Sequence, residues 1–173
     1  KDYLFPLYAS NAGFSDSYIG NILLFGGAMS IYISPILSKY AMKYFHAKGT
    51  AILSSILYIA ALTAFALLRT STAAVIAVFV ISVAGGFGII SHGVYFSSLR
   101  IVGRFGGGKA MGVFSLVDNL GQSTGPILFG VLLIFGYNGA SLITAAASLI
   151  LLILFIVMNI AARMQLPERL PGD

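Results

Sequence analysis

The 53 residues between Lys109 and Arg163 contain one ionisable charge, Asp118. A soluble helix pair of that length carries solvating charges along its outer faces, whereas a bilayer excludes them. At 1.5 Å per residue, about 20 apolar residues cross a hydrocarbon core of about 30 Å, so this stretch is long enough to cross twice. Further apolar runs precede it, and none shows the short alternation of barrel strands, so the backbone hydrogen bonds have to close within helices. Charged residues make up 9% of the chain and hydrophobic ones 58%, against about 25% charged in an average soluble domain. The chain reads as an all-α integral membrane protein.

Five complete spans are expected, at 16–38, 50–68, 73–99, 110–135 and 139–162. Residues 3–12 are apolar but too short to cross alone. They read as the outer half of a sixth span, which makes residues 1–173 one transmembrane helical domain of a longer protein and puts Lys1 and Asp2 near mid-membrane. Pro35 is expected to bend the first complete span. The second and fifth spans hold only scattered polar residues and are expected to face lipid over much of their surface. The third and fourth carry His92 and Asp118 and are rich in glycine, so they are expected to line the interior.

Basic residues orient the bundle. Lys39, Lys43 and Lys48 fall in the first connection, Arg100, Arg104 and Lys109 in the third, and Arg163 after the last span, while the second connection has only Arg69 and the fourth none. The positive-inside bias makes the first and third connections and the C-terminus cytoplasmic, in an inner or plasma membrane. Tyr40, Tyr44 and Phe45 then lie at the inner interface and Tyr137 at the outer one, as in an aromatic belt.

The same placement removes a nucleic-acid reading of the formal charge of +5, because the cations flank apolar runs rather than forming one footprint. The absence of cysteine excludes disulfides and thiol nucleophiles. Of the two histidines, His46 belongs to a connection far from His92, so no metal site is expected. Gly103-Arg-Phe-Gly-Gly-Gly-Lys109 fits part of a phosphate-binding loop, but Ala110 stands where magnesium requires Ser or Thr and no strand precedes it. It reads as a basic hinge. Without paired carboxylates or a nucleophile constellation, neither an enzyme nor a cofactor is expected.

The fourth span continues Gly121-Gln-Ser-Thr-Gly125-Pro126-Ile-Leu-Phe-Gly130. Gly121, Gly125 and Gly130 allow close helix approach, and Pro126 frees a carbonyl and favours a bend. This segment resembles the glycine-proline signature that the major facilitator superfamily carries in its fifth and eleventh helices. Leu4-Phe-Pro-Leu-Tyr8, Ala12-Gly13-Phe14-Ser15 and Tyr18-Ile19-Gly20 look like the end of that family's first or seventh helix and the entry to the next. Lys109-Ala-Met-Gly-Val-Phe114 looks like its entry to helix five or eleven. The family's acidic, arginine-bearing loop between helices two and three is matched here only by basic residues across 34–49, a departure that favours the C-terminal half, helices seven to twelve.

The resemblance implies a secondary transporter that moves a small-molecule substrate by alternating access, with the substrate bound near mid-membrane between two six-helix halves. This chain would be the C-terminal half and would need the N-terminal six-helix half, or a second copy of itself, to complete the site. The alternative is a transporter-like transmembrane domain that senses a ligand for a larger regulatory protein.

Asp118 lies nine residues beyond Lys109 and His92 eight before Arg100, roughly 13 Å and 12 Å along their helices. Their similar depth allows them to face one another. Ser115, Asp118, Asn119 and Gln122 share one helix face, and Gly88, His92 and Tyr95 share another. The expected roles are proton carriage for Asp118, hydrogen bonding to substrate for Asn119 and Gln122, and gating or proton relay for His92, since ionisable residues inside a membrane mark pathways. Asn11, Asn21, Ser30, Tyr32 and Ser34 are softer candidates. The competing structural reading keeps both Asp118 and His92 locally hydrogen-bonded, with no transport role.

Overall fold

The computed structural model describes residues 4–68 and 70–164; Lys1, Asp2 and Arg69 lie outside them. The described chain is all-α. In order it comprises α1 (Leu4–Asn11), α2 (Asp16–Leu68), α3 (Ser71–Ser97), the short α4 (Arg100–Phe105), α5 (Gly107–Leu132), a single 3-10 turn (Leu133–Phe135) and α6 (Gly136–Met164). Three helical stretches, 16–68, 71–97 and 107–161, are long and apolar enough to cross a membrane, which is consistent with a transmembrane protein.

Two of these stretches are interrupted. α2 is helical throughout except at His46, whose φ of 57° and ψ of 173° fall where side-chain-bearing residues seldom go. Residues 39–49, expected to be a loop, are therefore almost wholly helical, because Lys39 to Phe45 contains neither glycine nor proline and the basic residues end the apolar run without ending the helix. The second break combines the 3-10 turn with Gly136 at φ 74°, a conformation that suits a residue without Cβ.

His46 reverses the chain. Along the first arm of α2, residues 16–45, Gly26 lies against Ser82 of α3 and Ser34 against Gly86, so this arm runs parallel to α3. The second arm, 47–68, places Ser54 against Gly88, and Leu62 and Phe65 beside Ala74, Ala77 and Val78, so it runs antiparallel. α3 is thus gripped between the two arms.

Small residues make that grip close. A Cβ on Gly86 would sit 2.4 Å from Ser34 Oγ and 2.5 Å from Ser30 Oγ, and one on Gly88 would sit 2.3 Å from Ser54 Oγ. The hydroxyls at this seam bond to helix carbonyls: Ser34 Oγ donates to Val83 O (3.1 Å) and Ser54 Oγ to Ala84 O (2.8 Å). With lipid as apolar as leucine, such packing and interhelical bonding is what holds membrane helices together.

The second arm is accordingly central, with Thr50, Ala51, Ser54, Ala61, Leu62, Phe65 and Ala66 buried, a larger packed face than that of a helix meeting lipid over much of its surface. α1 closes one end: Phe5 and Ala9 are buried and Tyr8 packs edge-on against Phe65 with centroids 5.0 Å apart. Asn11 Nδ2 donates to Tyr137 Oη, tying α1 to the start of α6. The inner-lining expectation holds for α3, but α5 contains no buried residue.

Candidate functional site

At about 100° per residue, Ser115, Asp118, Asn119 and Gln122 fall on one side of α5, and Val113, Leu116, Leu120 and Ile127 on the other. Gln122 Nε2 donates to Asp118 Oδ2 at 2.8 Å, an i, i+4 pair that gives the carboxylate a neutral partner. Helix positions near the Asp118 side recur at Met111, Phe114, Gly125 and Phe129, and all four are half-buried. The Phe114 ring lies 5.0 Å from Phe96 of α3, and Phe129 packs against the hydrophobic core.

Between these anchors the helix stands clear. Asp118, Asn119, Gly121 and Gln122 are exposed, and a Cβ on Gly121 or Gly125 would meet nothing within 4 Å. The close packing expected at these two glycines therefore does not occur within this chain. Pro126 sits inside α5 without ending it, and the Gly130 carbonyl accepts from the N–H of Leu133 where the helix tightens into the 3-10 turn. Pro35, likewise, lies exposed inside α2, which continues through it.

His92 projects from the C-terminal third of α3 and forms a common wall of two cavities. One, of about 290 Å³, lies between the second arm of α2, α3 and α6 and is lined by Ser55, Tyr58, Ser148, Leu152 and Phe155 besides His92. The other, of about 360 Å³, lies between α3, α5 and α6 and adds Tyr95, Phe96, Phe114, Met158 and Asn159. Each is near the lower limit of ligand pockets, and Phe155 shares the dividing wall with His92. Phe96, one turn beyond His92, meets Phe114, one turn before Asp118, so the two ionisable residues stand at one level of the α3–α5 contact. The fold thus brings the two ionisable groups to one region between α3 and α5.

Tyr95, expected with Ser115 among the substrate or proton pathway residues, lines the second cavity and is also hydrogen-bonded to α6. Its hydroxyl donates to Asn159 Oδ1 on α6, Asn159 Nδ2 in turn donates to Phe155 O at 2.8 Å, and the Tyr95 and Phe155 rings meet edge-on at 5.5 Å. This network fastens α6 to α3 beside the larger cavity. Of the softer candidates, Ser34 is buried in the helix seam, Asn11 bonds to Tyr137, and Asn21 and Tyr32 are exposed.

Sequence reasoning missed Tyr58, Ser55, Ser148 and Phe155 as lining residues. Ser55 and Tyr58 stand one helical turn apart on the second arm, which was the available signal; Ser148 and Phe155 had none, since their cavity depends on how α6 crosses that arm. Among the described residues, no three His, Asp or Glu side chains gather as a metal site would require.

No family model matches the chain, and neither a curated protein nor a solved structure matches it.

Proposed function

We propose that this chain is one six-helix half of a secondary transporter of the major facilitator type, moving a small solute by alternating access with proton coupling through Asp118. The supporting observation is the middle of α5, where a carboxylate, two amides and a hydroxyl stand off the bundle at the level of His92 on α3. A carboxylate at mid-helix in a bilayer is costly unless it reaches water or a partner, and this gap supplies room for both. Gly121 and Gly125, beside which a Cβ would meet nothing within 4 Å, leave a narrow, bump-free surface on which a second six-helix half can close.

In this reading, counting the two arms of α2 separately gives those arms, α3, α5 and α6 as five spanning elements and α1 as the outer part of a sixth, with the basic connections and the C-terminus cytoplasmic. Substrate binds between the halves against Asn119 and Gln122, and Asp118 gains and loses a proton as access alternates. His92 relays or senses that proton from the cavity wall.

The test is proton flux in vesicles carrying the full-length protein. With a panel of sugars, organic acids, peptides and organic cations added outside, at least one class is expected to collapse an imposed pH gradient faster than protein-free vesicles. A protein that binds a member of the panel yet moves neither it nor protons is a sensor, and the transport reading fails.

A further inference from the structure

Among the described residues, one end of the bundle carries cations without acids. The first arm of α2 and α3 run parallel, so residues 39–45 and the end of α3 lie together, followed by the start of the second arm, α4 and the start of α5. Lys39, Lys43, Lys48, Arg104 and Lys109 gather there, all exposed except the half-exposed Lys48. No Asp or Glu occurs in the sequence between Asp16, at the opposite end of that arm, and Asp118, well inside α5. Among the described residues, the carboxylates of these elements lie away from the cations, Asp16 at the far end of the first arm and Asp118 nine residues beyond Lys109.

The length of the first arm fixes where they sit. Residues 16–45 extend roughly 45 Å, half as long again as a hydrocarbon core of about 30 Å. The excess emerges at the basic end, carrying Tyr40, Tyr44 and Phe45, which are 60%, 71% and 57% exposed. Lys43 Nζ lies 5.9 Å from the Tyr44 ring centroid, so charge and aromatic surface are presented together. Interfacial rings beside solvent-facing ammonium groups match a lipid headgroup region, where rings sit at headgroup depth and phosphates supply counter-charge.

We infer that this end is a binding surface for anionic phospholipid, with Lys39, Lys43 and Lys48 holding the headgroup phosphates and Tyr40, Tyr44 and Phe45 lying among the glycerol and upper acyl regions. The surface goes beyond the transport reading: a protein that moves no solute would still have it.

The experiment is native mass spectrometry of the delipidated full-length protein, offered equal amounts of phosphatidylglycerol and phosphatidylcholine. Phosphatidylglycerol is expected to be retained preferentially, with the preference falling as salt rises. Lys39→Gln, Lys43→Gln and Lys48→Gln are expected to weaken it about fivefold for each cation removed. Circular dichroism of the variants checks the helical content, and the salt dependence of the parent protein stands independently of any substitution. Equal retention of the two lipids, a preference unchanged in the triple variant, or displacement of phosphatidylglycerol by inorganic phosphate at matched ionic strength would overturn the inference, the last by assigning the site to free phosphate.

Discussion

Asp118→Asn in the full-length protein is expected to fold and insert like the parent while its pH-gradient-driven uptake falls to the leak of protein-free vesicles. The two halves of that expectation come from different observations. Folding is spared because α5 buries no residue, Asp118 is exposed, and an asparagine carbonyl can still accept the 2.8 Å bond from Gln122 Nε2. A stability change within about 0.5 kcal/mol is the usual outcome for such a site. Coupled transport is lost because an amide cannot exchange a proton at accessible pH. Solute exchange with no pH gradient should survive in part, since Asn119 and Gln122 remain. Uptake that keeps its pH dependence in this variant removes Asp118 from the coupling.

The second large effect concerns the seam that holds the bundle. Gly86→Val is expected to destabilise the protein by about 1 to 3 kcal/mol, the range for overpacking a close-packed interior, with a matching loss of folded yield. Valine at this position meets Ser34 Oγ at 2.4 Å and Ser34 Cβ at 2.8 Å, and the latter belongs to the helix itself rather than to a flexible side-chain tip. Relief requires α3 to move away from the first arm of α2, which breaks the Ser34 to Val83 bond as well. Gly85→Ala, one residue earlier, is the control: its Cβ meets nothing within 4 Å, so thermal unfolding in detergent should separate the two substitutions clearly. Equal melting temperatures would mean that the helices do not pack through Gly86.

Helix positions were legible in the sequence because they follow from apolar run length and from breakers. Thr70 accepts from the N–H of Ala73 and caps α3 as its residue type suggests, and the glycines at 106 and 136 mark the ends of segments. The reversal at His46 was not legible, since charge marks where a membrane ends and not where a helix does. Packing partners were less legible still. The second arm of α2 reads as evenly apolar, yet Thr50, Ala51 and Ser54 make it central, because small residues allow approach that hydrophobicity does not report. For α5 the sequence pattern and the packing point in different directions. Its polar stripe and glycines look like an interior helix, but the surface they would meet is not formed by the described elements.

That unmet surface is the centre of the functional account, and the sequence offers a direct way to probe it, because these 173 residues contain no cysteine. Single cysteines at Ser115, Asn119 and Gln122, and on the opposite face at Leu116, Leu120 and Ile127, can be introduced into a cysteine-free full-length protein in native membranes and treated with a charged, membrane-impermeant thiosulfonate. If the polar side of α5 lines a water-filled path, Ser115→Cys, Asn119→Cys and Gln122→Cys react and the other three do not, and a transported solute slows the reaction. Labelling that ignores this periodicity, or that favours Leu116→Cys, Leu120→Cys and Ile127→Cys, would contradict the account.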